Sequence, residues 1–170
     1  MYAQHFPDVQ FRHIPPLIPF NNETKKEDLR KKLGISKDSR VYLFAGTLKK
    51  MKNPDTIVRA AVLMGTEFLE THNIRFVFAG NGHLSDDLKS EVDIHGLKPY
   101  FLFTGALKRE EMAEFYSMSD GYIIASDYEG TSLSLMEAMY NGLLIVASQV
   151  KGINEMLSNN ENSLLFEVRN

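Results

Sequence analysis

Residues 121–148 read GYIIASDYEGTSLSLMEAMYNGLLIVAS, and the order of residue types in this stretch decides the fold. GYIIAS (121–126) and LLIVAS (143–148) are short, continuous apolar runs, the pattern of strands buried on both faces. Between them a polar, glycine-bearing loop leads into SLMEAMY, apolar at helical spacing, and Asn141-Gly142 reads as its stop. Strand, loop, helix and strand within about thirty residues make a crossover unit, which joins parallel strands.

The unit repeats along the chain. VYLFAG (41–46), RFVFAG (75–80) and YFLFTG (100–105) are further apolar runs, and SLLFEV (163–168) is a weaker sixth. Helical patterns separate them. Residues 54–70 predict one helix with Asn53 as N-cap and Pro54 at its first position. LSDDLKSEVDIHG (84–96) predicts a helix capped at Ser85 and stopped at Gly96, and KREEMAEFYSMS (108–119) predicts a third. The alternation predicts an α/β fold, a Rossmann-like doubly wound parallel sheet of about six strands with helices on both faces.

Residues 1–40 have a different character. They hold four of the chain's six prolines, which suits an extended connector, followed by a short helix in KKEDLRKKLGI (25–35) that stops at Gly34. The expected division is therefore 1–40 as interdomain connector and short helix, and 41–170 as the folded domain. A proline-rich lead-in and a stop soon after a strand predict a piece of a longer, two-domain protein.

Composition narrows the function. The 170 residues are 44% hydrophobic, enough for a continuous core. The net charge of -3 gives no general attraction for nucleic acid, so any positive site must be local. With no cysteine there are no disulfides, thiolate ligands or cysteine nucleophiles, and the five histidines lack ligand spacing. No apolar run reaches the ~20 residues of a membrane span, so the expected location is the cytoplasm.

Open parallel sheets bind ligands beyond the carboxyl ends of their strands. After the first strand come Gly46 and Thr47, then Lys49, Lys50 and Lys52 beside a helix start, where free N–H groups favour an anion such as phosphate. Gly80-Asn81-Gly82 permits close backbone approach. Neither the G-x-G-x-x-G nor the P-loop fingerprint occurs. In the fourth loop, Glu129 can accept two hydroxyl hydrogen bonds, as sugar recognition requires, while N–H groups from Ser132 to Leu135 can hold a phosphate. Glu137 has two readings that spacing leaves level: a ligand contact, or the last residue of a capping box opened by Ser134.

Taken together, GTLKKMKN, VFAGNGHL, FLFTGAL, SDYEGTSLSLMEAMYNGLLIVAS, KGINEML and NSLLF resemble, in order, the carboxyl-terminal donor-binding domain of GT-B glycosyltransferases. The likeness is to family 4, retaining enzymes with an E-x7-E signature, and covers about 41–168. It implies that Glu129 contacts hydroxyls of the transferred sugar, that Glu137 contacts the nucleotide ribose, and that Lys52 neutralises the diphosphate. It further implies that Gly130, Thr131, Ser132, Leu133 and Ser134 meet sugar and phosphate, and that Thr104, Gly105 and Leu107 border the base. Gly46, Thr47 and Gly80 complete the expected donor site.

No metal or other cofactor is implied, since a lysine and a helix N-terminus supply the positive field. The expected partners are a nucleotide-sugar donor and a saccharide or lipid-linked acceptor held by an amino-terminal domain. Nucleic acid is not expected, and peripheral association of the full-length protein with the inner face of a membrane is compatible. The implied function is hexosyl transfer in polysaccharide or glycoconjugate synthesis, with the isolated domain itself inactive. A non-catalytic nucleotide-sugar binding module and a GT-B epimerase are the alternatives. Three departures stand out: Thr47 where the family usually has arginine, Lys151-Gly152 for Gly-Gly, and Leu144 for proline. The first lowers the expected diphosphate affinity, because lysines act as point charges rather than bidentate forks.

Overall fold

A computed structural model describes residues 26–168. Six parallel strands form one sheet: β1 (Arg40–Ala45), β2 (Ile74–Ala79), β3 (Phe101–Gly105), β4 (Gly121–Ile124), β5 (Leu144–Ser148) and β6 (Leu164–Phe166). Their spatial order is β3-β2-β1-β4-β5-β6. The direction of winding reverses between β1 and β4, and at such a switch point the loops part to leave a crevice. The doubly wound sheet expected from the alternating pattern is present.

The first helix, α1 (Lys26–Lys32), precedes the sheet, and α2 (Pro54–Met64) and α3 (Thr66–Thr71) link β1 to β2. Then α4 (Ser85–Ile94), α5 (Arg109–Met118), α6 (Leu133–Tyr140) and α7 (Lys151–Asn154) follow β2, β3, β4 and β5. The single helix expected over 54–70 is two. Gly65 takes a positive φ, a left-handed conformation open to glycine that breaks the helical path. Gly96 and Gly142, also at positive φ, end α4 and α6 as expected.

Two cores flank the sheet. Val41, Leu43, Val77, Tyr122, Ile124, Ile145 and Ala147 pack against α1, α5, α6 and α7. Phe44, Phe76 and Phe78 pack against α2, α3 and α4, with Phe78 edge-on to Phe103 at 5.1 Å between ring centres. Each fully buried large side chain contributes about 1.5–3 kcal/mol over an exposed one. On that second face α2 runs beside the strands, and Ile123 of β4 packs against its cluster. Tyr42, Ile123, Val146 and Phe166 of the sheet, with Ile57, Ala60 and Met64 of α2, line an apolar groove of about 310 Å³.

Of the expected connector, residues 1–25 lie outside the described residues, and α1 is docked on the sheet. Arg30 is 2% exposed and donates to the carbonyls of Met118, Lys37 and Ser39 and to Asp120 Oδ2 at 2.7 Å. A buried guanidinium is tolerated only when its donors are satisfied in this way. No helix among the described residues is long and apolar enough to cross a membrane.

Candidate functional site

The carboxyl ends of β1, β2 and β3 are joined through backbone. The Gly46 N–H donates to the Ala79 carbonyl at 3.0 Å, Gly80 N–H to Gly105 at 2.8 Å, and Leu48 N–H to Asn81 at 3.0 Å. A Cβ at Gly80 would overlap the Gly46 carbonyl, and its φ of +147° also excludes most side chains. Both loops therefore run as bare backbone. The three expected glycines 46, 80 and 105 thus form one ledge, with Thr47 exposed on it. Thr104 turns its hydroxyl to the Gly105 carbonyl at 2.9 Å, and Leu107 packs partly into the core.

Across the switch point, the loop after β1 is tied to the loop after β4. The Asp127 N–H donates to the Met51 carbonyl at 2.9 Å, and Asn53 Nδ2 donates to Asp127 Oδ1 at 2.6 Å. Asn53 holds the N-cap position of α2 expected of it, with Pro54 following, but its side chain makes no capping hydrogen bond. It sits left-handed at φ 43°. Asparagine enters that region more readily than most residues, and the Asn53 amide is left to cross to the other loop.

Between these ties lies the central pair. Lys52 Nζ donates to Glu129 Oε1 at 2.5 Å, and the Ser126 hydroxyl donates to the same oxygen at 2.6 Å. Glu129 is 8% exposed. Of the three loop lysines, Lys52 is the one that meets the glutamate. Lys50 instead lines a groove of about 960 Å³ between α2 and α4, together with Asn53, Arg59, Asp87 and Glu91.

The floor of the fourth loop is α7. A Cβ on Gly152 would overlap the carbonyl oxygens of Glu129 and Gly130, so α7 can approach only because this residue lacks one. Lys151 stands where the resemblance implies glycine, but the position with no room for a side chain is still glycine.

The start of α6 settles one open reading. Ser132 is the N-cap, its hydroxyl accepting from the Leu135 N–H at 3.4 Å. The capping box of Ser134 with Glu137 is therefore absent, because the helix begins two residues earlier than that box requires. Ser134 instead accepts from the Tyr122 hydroxyl at 2.8 Å. The N–H groups of Leu133 and Ser134 bond to nothing among the described residues, as first-turn donors awaiting an acceptor do.

Glu137 lies half-buried on α6. Burial pushes the Tyr122 hydroxyl above its ordinary value; Ser134 works against this, and the carboxylates of Glu129 and Glu137 both add to it. Tyr116 is raised too, by burial first, then by Tyr122 and Glu137. The carboxylates of Glu129 and Glu137 thus both disfavour the ionised form of the buried Tyr122. Among the described residues no three His, Asp or Glu side chains gather as a metal site would need.

Ser126, the Asn53–Asp127 link and the tight seat of Gly152 are not legible in the sequence. Asn53 and Asp127 are 74 residues apart. A serine three residues before Glu129 is the one local signal.

Comparison with known proteins places the chain among sequence and structural relatives. A model of glycosyl transferases group 1 matches residues 25–170. An uncharacterized glycosyltransferase of Methanocaldococcus jannaschii is 28% identical over 86% of this chain and 36% of its own length. The UDP-Gal:alpha-D-GlcNAc-diphosphoundecaprenol alpha-1,3-galactosyltransferase of Escherichia coli is 31% identical over 89% of this chain and 39% of its own. Among solved structures, Anabaena HepE in complex with UDP superposes with a TM-score of 0.75 at 18% identity, over 88% of this chain and 40% of that one. The chain thus spans about two-fifths of the length of these proteins, and its sheet is one half of a GT-B architecture. With the model matched from residue 25 to residue 170, the chain belongs to the glycosyl transferases group 1 family.

Proposed function

We propose that this chain is the donor-binding domain of a retaining, metal-independent hexosyltransferase of the family 4 type. It would take a nucleotide-diphosphate sugar and, with an acceptor domain outside this sequence, pass the sugar to a saccharide or lipid-linked acceptor at the cytoplasmic face of a membrane. The observation that carries this reading is the Lys52–Glu129 pair at the switch point, beside the unbonded N–H groups that open α6.

The parts divide the donor between them. The diphosphate would lie at the first turn of α6, where the Leu133 and Ser134 N–H groups and the helix dipole favour an anion, with Lys52 opposite as the mobile cation. As the glycosidic bond breaks, charge builds on the departing nucleoside diphosphate, and Lys52 stabilises it there. Glu129 would accept from hydroxyls of the sugar and Glu137 from the ribose. The ledge of Gly46, Gly80 and Gly105, with Thr104 and Leu107 beyond it, would leave room for the base. Support for such a donor comes from HepE, solved with UDP and with UDP-glucose, and from the E. coli relative, whose named substrates are UDP-Gal and a lipid diphosphate. One observation favours a non-catalytic binding module as second reading: uncharged Thr47 stands where the family has arginine.

The test is titration calorimetry of the chain with UDP, GDP, UDP-glucose and GDP-mannose in the presence of a chelator. Binding of at least one pair is expected. Lys52→Ala should then weaken binding about tenfold or more, the scale of a hydrogen bond to a charged group, and lower its salt dependence. An unchanged affinity would remove Lys52 from the site.

A further inference from the structure

We propose that Ser126 is the positioning residue of the sugar end of the site, acting through Glu129, and that it keeps one carboxylate oxygen aimed at the sugar while Lys52 attends to phosphate. The inference rests on the donor-site reading above and adds to it a residue, a role and a selective effect.

Ser126 is fully buried where β4 gives way to its loop. Its hydroxyl has one proton, and that proton is committed to Glu129 Oε1 at 2.6 Å. Its own carbonyl accepts from the Ser148 hydroxyl at 2.7 Å, and Ser148, at the end of β5, is also fully buried. The chain Ser148 to Ser126 to Glu129 therefore runs from the sheet interior to the mouth of the site. A hydrogen bond to an ionised acceptor at this length is of the stronger, charge-assisted kind. The backbone of Glu129 is held independently by the seat of α7 at Gly152.

Both side-chain bonds of Glu129 fall on Oε1, and Oε2 has no partner among the described residues. An ionised carboxylate can accept about four hydrogen bonds, so Oε2 keeps its full capacity for hydroxyl donors. The two partners on Oε1 differ in what an incoming diphosphate does to them. Lys52 is a flexible, partly exposed cation, and an anionic diphosphate competes for its charge. Ser126 is neutral, rigid and buried, and has no reason to leave. In the loaded site the orientation of Glu129 rests on Ser126, which makes this serine matter to the sugar and not to the nucleoside diphosphate.

The experiment compares wild type, Ser126→Ala and Ser126→Cys by calorimetry, using whichever pair the wild type binds best, UDP with UDP-glucose or GDP with GDP-mannose. Ser126→Ala removes the donor and leaves a small gap, whereas Ser126→Cys is slightly larger than serine and a weak donor, so a loss common to both follows the hydrogen bond rather than the packing. The expected result is a loss of about tenfold or more in sugar-nucleotide affinity, with the bare nucleoside diphosphate changed less than about twofold. Equal losses for both ligands, tracking a fall in melting temperature, would make Ser126 a structural prop and overturn the proposal. So would unchanged affinity for the sugar nucleotide. If wild type binds no member of either pair, the donor-site reading itself falls, and this proposal with it.

Discussion

Gly152→Ala is a sharp test of how the sheet holds its sugar-end glutamate. The added Cβ would overlap the carbonyl oxygens of Glu129 and Gly130 and stand 2.8 Å from the Glu129 carbonyl carbon. Ordinary contact begins near 3.4 Å, and neither the loop nor α7 can reach it by turning a side chain, so backbone must retreat. Overpacking of this kind costs about 1–3 kcal/mol. In a chain of this size that lowers the melting temperature by about 2–12 °C. Sugar-nucleotide binding should weaken as well, because the backbone that retreats is the one that carries Glu129. Gly130→Ala is the internal control, since a Cβ there meets nothing within 4 Å. Its melting temperature should stay within about 1 °C of wild type. Thermal unfolding of both variants, with calorimetry on UDP-glucose or GDP-mannose, measures the two effects. A Gly152→Ala variant as stable and as competent as wild type would refute the claim that α7 seats the fourth loop.

Arg30→Ala leaves the buried carbonyls of Met118 and Ser39 without their side-chain donor and takes from Asp120 one of its three partners, the others being Lys26 and the Val41 N–H. It should destabilise the domain by about 1–3 kcal/mol in urea unfolding, the scale of leaving buried acceptors unsatisfied, and no measurable loss would deny α1 its anchoring role. Asp120 sets an acid limit. Burial works to raise its pKa, but Lys26, the Val41 N–H and Arg30 outweigh it and hold the carboxyl below its ordinary value. Its contribution is therefore complete above the unfolded value of about 3.9 and is lost as pH falls through the lower folded value. The melting temperature of wild type should drop in that window, and Asp120→Asn should flatten the drop. Glu137→Gln should weaken nucleoside diphosphate binding about tenfold with little change in melting temperature. A matching loss of stability would reassign Glu137 to supporting Tyr116 and Tyr122.

What is legible in the sequence is what local pattern records. The apolar runs at 41–46, 75–80, 100–105 and 143–148 form strands because β-branched and aromatic residues fit a sheet buried on both sides. The run at 121–126 stops as a strand at Ile124, because Ala125 and Ser126 turn into the loop that carries Glu129. Gly65 lies within a helical pattern, yet its positive φ divides α2 from α3.

The candidate site is legible as a set of loops, and its internal pairing is not. Three lysines are equivalent by pattern, and topology picks Lys52 because the parallel crossover lays its loop against Glu129, 77 residues on. Asn53 is the N-cap of α2 as its neighbours indicate, but its amide bonds to Asp127 in the facing loop, which a rule that sees only neighbours does not record. Ser134 and Glu137 match a capping box by spacing, but Ser132 reaches the first turn sooner. Gly152 is demanded by the distant backbone of Glu129 and Gly130, a constraint that hydropathy does not encode.

The central claim is that Lys52 and Glu129 part to receive the two ends of one donor. Its most direct test is a crystal structure of the chain with UDP-glucose or GDP-mannose, whichever binds. The account predicts a diphosphate oxygen within about 3 Å of Lys52 Nζ and of the Leu133 or Ser134 N–H, with a sugar hydroxyl on Glu129 Oε2 and the Lys52–Glu129 contact lengthened. A ligand seated instead in the groove between α2 and α4, with Lys52 still on Glu129 Oε1, would contradict it.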